Sequence, residues 1–253
     1  IQFSLLDHDL KPLPLDNKGS TQATLELSKA QQSLEFKGLS AKPIPSLLHN
    51  FSAPIKLDFS YSEQHLADIM LGSPDDFARW DASQRLFSDC IHNLAECSKQ
   101  QQQKIIDSNL AKFQPILSSE KMSLALKAEI LSIPSFETLF QQVDSVDIDH
   151  LYSARKQVMK GLAQRFQIEW ESLYLSFEQP SYAYQAEQVE QRKIKNLALK
   201  YLALSDHANI ETLLNNQFNL ADNMTDSLGV LSAAQVGNLE TFENLMSKFE
   251  QKW

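Results

Sequence analysis

Three aspartates and a histidine lie close together near the middle of the chain: Asp144, Asp147, Asp149 and His150. Carboxylate oxygens are the ligands that hard cations such as Ca²⁺ prefer, so this segment is a candidate cation site. It lacks the EF-hand spacing and has no glycine at the turn. The alternative is a loop that leads into a helix, because acidic side chains are favoured in the first turn of a helix. The pattern favours the helix start, and we assign no metal ligand here.

Two aromatic motifs could bind a ligand. Arg79, Trp80 and Asp81 combine two opposite charges with a large ring near a predicted helix start. Trp80 can equally belong to the core, with the two charges paired to neighbours. Tyr182 and Tyr184 lie between two predicted helices, in a loop position that often carries recognition residues. They can also pack the loop onto the helices, so both alternatives stay open.

The histidines and cysteines show no spacing typical of a metal site or a nucleophile. The six histidines are His8, His49, His65, His92, His150 and His207. Cys90 and Cys97 fall in one predicted helix, where seven residues rise ~10 Å, beyond the ~7 Å that a disulfide allows. We therefore expect two thiols, which is consistent with a reducing compartment.

The motifs of common enzyme classes are missing from the sequence. It has no H-E-x-x-H segment, no glycine-rich phosphate loop and no G-x-S-x-G elbow. The net charge of -9 makes nucleic acid an unfavourable partner, because a phosphate backbone would be repelled. No apolar run approaches the ~20 residues of a membrane span, so we expect no membrane partner. The chain also starts without a basic leader, and this predicts a cytoplasmic location.

The N-terminal part has the alternating pattern of strands. Four strands are predicted, over residues 1–5, 23–27, 34–36 and 55–59. Pro43 and Pro45 predict an irregular stretch between the last two. Four strands are fewer than the ~7 of an immunoglobulin-like sandwich. We therefore expect a partial β-sandwich over residues 1–60, incomplete at its N-terminus.

From Ser62 onward the apolar residues recur every three or four positions, which indicates helices. Ser62 is a good N-cap, and Pro74 suits the first position of the next helix. Residues 98–104 resemble a solvated loop or helix end, and residues 151–175 are predicted to form the longest helix. Residues 222–234 have capping side chains followed by a helix, and the final helix still shows an apolar face at Trp253.

About ten helices in series, with no fixed repeat period, predict a HEAT- or armadillo-like α-solenoid over residues 61–253. Because no polar terminal cap is visible, we expect this domain to be incomplete at its C-terminus. The predicted fold is thus α+β and mainly helical, with a partial immunoglobulin-like β-sandwich followed by a helical array.

Four segments occur in the same order as in a known family. They are F-S-A-P-I-K-L at 51–57, D-F-A-R-W-D-A-S-Q-R-L at 76–86, A-E-I-L-S-I-P-S at 128–135 and N-M-T-D at 223–226. In this ordered combination the chain resembles, over its whole length, the C-terminal half of bacterial aminopeptidases N of the M1 zinc metallopeptidase family.

The resemblance implies that this chain has a non-catalytic role. The family's H-E-x-x-H zinc motif and its G-x-M-E-N segment, which recognises the free amino group of a peptide, have no counterpart here. No catalytic, metal-binding or substrate-binding residue can therefore be assigned, and the zinc ion is expected in the parent's missing catalytic domain. The implied partners are that catalytic domain and the parent's peptide substrates.

Three functions compete at this stage. The leading hypothesis is a non-catalytic fragment of a zinc aminopeptidase, inactive alone, whose helices limit access to an active site held elsewhere. The alternative is a free-standing α-solenoid that binds a protein or peptide. A third hypothesis is an enzyme with a dispersed carboxylate site.

Overall fold

The structure is a computed structural model that describes residues 1–39, 41–145, 147–177 and 181–252. The chain divides into two compact units, Ile1–Asp89 and Cys90–Trp253. Trp253 lies outside the described residues, and so does the predicted apolar face at that position. None of the helices in the described ranges is long and apolar enough to cross a bilayer.

A three-stranded sheet forms the start of the first unit. The strands are β1 (Gln2–Leu6), β2 (Ala23–Thr24) and β3 (Ile44–Leu47), in the order β2-β1-β3 with both pairs antiparallel. Because β1 is central, four of its five residues are buried, and this includes the polar Ser4. The first two predicted strands are confirmed, although the second is shorter than expected.

The other strand predictions for the first unit are wrong. Residues 34–36 and 55–59 form no strand, and β3 instead occupies the stretch between Pro43 and Leu47. A sheet edge tolerates proline because an N–H that points away from the sheet needs no strand partner. Alternation alone cannot show which segment finds a partner, and residues 34–36 and 55–59 alternate without pairing.

Two helices complete the first unit and lead into the second. α1 spans Glu63–Gly72, and Ser62 caps it as predicted, with its hydroxyl accepting from the His65 N–H at 3.1 Å. α2 spans Asp76–Glu96, so it begins after Pro74 and not at that residue. Its N-cap is Asp75, whose Oδ1 accepts from the Ala78 N–H at 2.8 Å.

The second unit is built from short helices in series. They are α3 (Lys99–Ala111), α4 (Gln114–Ser118), α5 (Leu124–Ile130), α6 (Phe136–Phe140), α7 (Ile148–Arg165), α8 (Gln167–Leu175), α9 (Ala186–Leu204), α10 (Ile210–Leu220), α11 (Met224–Val236) and α12 (Thr241–Lys252). The predicted helix at 222–234 is confirmed as α11. The series agrees with the predicted solenoid of short helices joined by short turns.

Two helix predictions are wrong in detail. The expected single helix over residues 151–175 is two helices, α7 and α8, which are separated by Phe166 with φ -115° and ψ 29°. No glycine or proline marks this break. Of the two alternatives for residues 98–104, the loop is wrong and the helix end is right, since α3 begins at Lys99. Glutamine is a good helix former, so the polar run is compatible with an exposed helix start.

The core of the second unit is centred on two stacked aromatic rings. Trp170 of α8 and Tyr201 of α9 lie 4.6 Å apart between ring centroids, and both are buried. Their polar atoms are satisfied, since Trp170 Nε1 donates to the Leu162 carbonyl at 3.1 Å and the Tyr201 hydroxyl donates to the Leu131 carbonyl at 2.6 Å. Buried aromatic rings with paired polar atoms fix how α7, α8 and α9 pack.

Candidate functional site

The acidic segment at 144–150 is a helix start. Asp147 is the N-cap of α7, and its Oδ1 accepts from the His150 N–H at 3.0 Å. This backbone hydrogen bond lowers the pKa of Asp147 below its usual value. Asp149 lies in the first turn of α7. Among the described residues, no group of three or more His, Cys, Asp or Glu could hold a metal ion.

The charges of the Arg79-Trp80-Asp81 motif are already engaged. Arg79 donates to the carbonyls of Met70 and Leu71 at 3.0 and 3.2 Å, and so closes the C-terminus of α1. Asp81 pairs with Arg85, with 2.9 Å between Oδ2 and Nε. Burial raises the pKa of the Asp81 carboxyl, and the Arg85 charge partly offsets this. The motif therefore organises α1 and α2, and both charges have structural partners.

The Trp80 ring is half-buried rather than fully buried. Its centroid lies 5.5 Å from that of Phe77, which in turn lies 5.3 Å from that of Phe51. Phe51 is 52% exposed. The three rings form a row that begins at an exposed turn and ends on α2.

The two tyrosines between α8 and α9 have different environments. The Tyr182 N–H donates to Asp222 Oδ2 at 2.7 Å, and the Arg192 guanidinium lies 4.9 Å from the centroid of the Tyr182 ring. Tyr184 is 87% exposed. Tyr182 thus packs the loop onto the helices, whereas Tyr184 is displayed to solvent.

The histidines singled out in the sequence lie apart. His92 Nε2 is 3.2 Å from Gln142 Oε1. His207 is buried, with its Nε2 3.2 Å from Glu171 Oε1. Cys90 and Cys97 are both thiols, buried and half-buried respectively, as predicted. We find no arrangement of these residues typical of nucleophilic catalysis.

A buried polar group that the sequence did not predict lies between α9, α10 and α11. We call it the Asp226 cluster, and its members are Asn196, Gln217, Asn223 and Asp226. Asp226 accepts from Asn196 Nδ2 at 3.2 Å and from Asn223 Nδ2 at 2.8 Å. Gln217 Nε2 donates to Asn196 Oδ1 at 2.7 Å. The cluster holds one carboxylate inside a ring of amides.

A close approach of α11 to α9 makes the Asp226 cluster possible. A Cβ atom at Gly229 would lie 2.5 Å from Cγ of Asn196, which is far below van der Waals contact. Asn223 is also the N-cap of α11, accepting from the Asp226 N–H at 2.9 Å. The N-M-T-D segment had indicated a cap, but it gave no sign of the partners on α9 and α10.

The Asp226 carboxylate affects two neighbouring groups. Burial raises the pKa of Tyr174 to about 12, and the charge of Asp226 adds to the shift. Burial lowers the pKa of Lys195, and the same charge partly offsets it. Because an amide donates to each of its oxygens, the carboxylate acts as a structural anchor of the cluster.

A second buried polar group lies in the first unit. We call it the His49 cluster, and its members are Ser4, Ser46, His49, Ser73 and Asp75. His49 Nε2 lies 3.0 Å from Ser46 Oγ and 3.4 Å from Ser4 Oγ. Ser46 Oγ lies 2.9 Å from Ser73 Oγ. Its serine and histidine are hydrogen-bonded as in a hydrolase, but both are fully buried, so no substrate reaches them.

A cavity of about 530 Å³ lies beside the sheet of the first unit, lined by residues that include Phe3, Thr24 and Phe36. Two acidic residues, Glu35 and Asp16, line it, and Asp16 lies in a turn with Ser20. Backbone and side-chain hydrogen bonds from Ser20 engage its carboxylate and lower its pKa. The lining is thus mixed, with aromatic rings beside polar and charged side chains, and the Asp16 carboxylate is engaged within its own turn.

The order of elements, a small antiparallel sheet and then a series of helices, defines the class of protein. Residues 1–60 match the family described as "Domain of unknown function (DUF3458) Ig-like fold", and residues 63–253 match "Domain of unknown function (DUF3458_C) ARM repeats". The second match spans more than half of the chain, so the chain belongs to the DUF3458_C family. These matches confirm the predicted fold class.

The relatives of known name are aminopeptidases N. The chain is 32% identical to aminopeptidase N of Escherichia coli over 99% of its own length and 29% of that protein. It is 30% identical to aminopeptidase N of Haemophilus influenzae over 90% of its length and 26% of that protein. The resemblance read from the sequence is confirmed. The chain spans less than a third of the length of these relatives.

A solved structure has the same fold. The crystal structure of Legionella pneumophila aminopeptidase A in complex with aspartic acid matches with a TM-score of 0.80 and 23% identity, and covers 100% of this chain and 30% of that one. At this identity the match shows the fold of the chain and leaves its activity open.

Proposed function

We propose that this chain is a C-terminal, non-catalytic part of a zinc-dependent M1 aminopeptidase. In this proposal a catalytic domain elsewhere in the same polypeptide binds the zinc ion and removes N-terminal amino acids from peptides. The immunoglobulin-like part and the helices pack against that domain and limit access to its active site. The whole protein acts in the cytoplasm.

The observation that carries the proposal is the pattern of coverage. Nearly all of this chain, 99%, aligns with aminopeptidase N of Escherichia coli, while 29% of that protein is accounted for. The sequence also contains no H-E-x-x-H segment, which is the usual zinc-binding motif of such peptidases. Both facts support a catalytic centre outside these residues.

Exposed apolar residues in the second unit support contact with a further domain. Ile168 and Leu175 of α8 are 80% and 63% exposed, and Leu220 of α10 is 66% exposed. Contiguous apolar surface indicates an interface, and Ile168 and Leu175 are two helical turns apart on α8. In this proposal the rest of the polypeptide covers part of them.

The direct test is a chimera with the Escherichia coli relative. The aligned segment of that aminopeptidase N is replaced by this chain, and zinc-dependent release of p-nitroaniline from alanine p-nitroanilide is measured. We expect activity in the chimera and none in the isolated chain with added zinc. A protein that lacks the segment should lose activity or fold poorly.

A core variant is the matched control for the chimera. Trp170→Glu places a charge in the fully buried core of the second unit and should abolish the chimera's activity by unfolding it. Clear zinc-dependent turnover by the isolated chain would contradict the proposal and favour an enzyme with a dispersed site. A chimera that folds but has no activity would favour a free-standing α-solenoid binding module.

A further inference from the structure

His49 is sealed inside the first unit. Its ring lies against one face of the β1–β3 pair, with Nε2 3.0 Å from Ser46 Oγ and 3.4 Å from Ser4 Oγ, and no part of the residue is exposed. The second ring nitrogen, Nδ1, is buried and has no hydrogen-bond partner among the described residues. A neutral imidazole fits this environment, whereas an imidazolium would add a charge and a second N–H with no acceptor.

One carboxylate acts electrostatically on this ring, and it is already engaged. Asp75 is the charged group whose field reaches His49. Its Oδ1 accepts from the Ala78 N–H at 2.8 Å as the N-cap of α2, and its Oδ2 accepts from the Asn50 N–H at 2.9 Å. The other members of the cluster, Ser4, Ser46 and Ser73, are uncharged. Asp75 therefore moderates the cost of protonating His49 without giving Nδ1 a partner.

The backbone around His49 is held in an unfavourable conformation. Leu48, Asn50 and Phe51 have φ values of 61°, 53° and 48°, in the left-handed region. Asparagine tolerates this region, but leucine and phenylalanine do not, because their Cβ crowds the backbone. Such outliers persist only where the surrounding structure holds them.

Further hydrogen bonds, besides that of the Asn50 N–H to Asp75, hold this segment, which we call the 48–51 turn. The Phe51 N–H donates to the Leu48 carbonyl at 3.1 Å, and the Ser52 N–H donates to the His49 carbonyl at 3.0 Å. The hydroxyl of Ser52 accepts from the Gln2 N–H of β1 at 2.8 Å. The buried His49 ring is the side-chain anchor in the middle of the turn.

We propose that His49 is a proton-sensitive latch on the 48–51 turn. While the ring is neutral it stays on Ser4 and Ser46, and the turn keeps its left-handed conformation with Phe51 on Phe77. When the ring takes up a second proton it leaves this site for water, the backbone relaxes, and the row of rings from Phe51 to Trp80 is uncovered at its outer end.

The direction of the pH dependence follows from the burial of the ring. Burial lowers the pKa of His49 below its usual 6.5 in the closed turn, and Asp75 partly offsets this. The closed turn thus binds fewer protons than the open one. The closed turn is fully favoured above about pH 6.5. It loses this advantage as the pH falls from the pKa of His49 in the open turn to its lower pKa in the closed turn.

Amide hydrogen exchange of the full chain tests the latch. The probes are the N–H groups of Phe51 and Ser52, with rates corrected for the intrinsic pH dependence of exchange. We expect protection to fall about tenfold per pH unit below about pH 6.5, as for the uptake of one proton. Amides in the middle of α9 should keep their protection over the same range.

Two variants separate this latch from general acid sensitivity. His49→Gln removes the titrating group and keeps a side chain that can bond to Ser46, so its turn amides should show no pH dependence. His8→Gln is the matched control, because the His8 side chain is 77% exposed, and it should behave as the unmodified chain does. If His49→Gln fails to fold, an NMR titration of the His49 ring in the unmodified chain decides.

Three results would overturn the proposal. The first is unchanged protection of Phe51 and Ser52 between about pH 7.5 and about pH 5. The second is a pH dependence that persists in His49→Gln. The third is a ring titration of His49 that is not accompanied by any change at Phe51.

Discussion

The His49 cluster of the first unit and the Asp226 cluster of the second are both buried polar groups, yet they leave different atoms unsatisfied. In the Asp226 cluster the carboxylate accepts from two amides, and the atom without a partner is the neutral Gln217 Oε1. In the His49 cluster it is the titratable Nδ1. An orphan amide oxygen makes a cluster less stable, whereas an orphan ring nitrogen makes it respond to pH.

The backbone around the two clusters also differs. The Asp226 cluster lies between helices with ordinary geometry, and it needs a close approach at Gly229. The His49 cluster supports a turn with three left-handed residues. We therefore expect substitutions in the Asp226 cluster to change the overall stability most. Substitutions in the His49 cluster should act locally.

The largest effect is expected for Asp226→Ala. This change removes the acceptor of two buried amide N–H groups, on Asn196 and Asn223, and should lower the free energy of unfolding by about 3–4 kcal/mol. Urea denaturation followed by circular dichroism measures it. Asp107→Ala, at a side chain 56% exposed and 4.0 Å from Arg165, is the control and should cost below about 1 kcal/mol. An equal decrease in the free energy of unfolding for both variants would mean that the buried cluster stabilises the fold no more than an exposed ion pair does.

A comparison of two helix caps is the next test. Asn223 caps α11 and also donates to Asp226, whereas Ser62 only caps α1. We expect Asn223→Ala to lower the free energy of unfolding by about 2–3 kcal/mol and Ser62→Ala by about 1 kcal/mol. The difference should shrink when both are measured in an Asp226→Ala background, since the extra bond is then already absent.

Gly229→Ala tests the close approach of α9 and α11. Alanine raises helix propensity by about 1 kcal/mol, but its Cβ would lie 2.5 Å from Asn196 Cγ. Overpacking should outweigh the propensity gain and lower the free energy of unfolding by about 1–2 kcal/mol. Ser232→Ala, at an exposed position of the same helix, should change stability by less than about 0.5 kcal/mol. A stabilised Gly229→Ala protein would show that the helices can separate freely.

The smallest effects are expected in the 48–51 turn. Asn50→Gly suits a φ of 53° and should leave the free energy of unfolding within about 0.5 kcal/mol. Asn50→Val, with a branched Cβ in the left-handed region, should lower it by about 1 kcal/mol. Thermal unfolding of both variants at neutral pH measures the difference. Identical values would indicate that the turn changes conformation without cost.

Local chemistry made some features predictable from sequence. Ser62, and the capping residues ahead of α11, have side chains that bond to N–H groups two or three residues away, so their role is readable from sequence alone. The thiols at Cys90 and Cys97 followed from helical rise in the same way. The order of the two parts of the fold followed from the change to a helical period at Ser62.

Features that depend on distant partners were not predictable. The burial of His49 requires Ser4 from one strand and Ser46 from another, and the Asp226 cluster joins residues from three helices. The break at Phe166 has no glycine or proline to mark it. β3 was missed because one proline, Pro43, precedes it and another, Pro45, lies within it. Together they outweigh a weak alternation of apolar residues.

Pro45, which concealed β3 from sequence patterns, also protects the sheet from unwanted association. It lies on an edge strand and has no N–H to offer, and its carbonyl already accepts from the Tyr61 hydroxyl at 2.8 Å. A strand from another molecule that tried to extend the sheet at this residue would meet neither a donor nor an open acceptor. Pro45 thereby discourages fibril-like growth along this edge of the sheet.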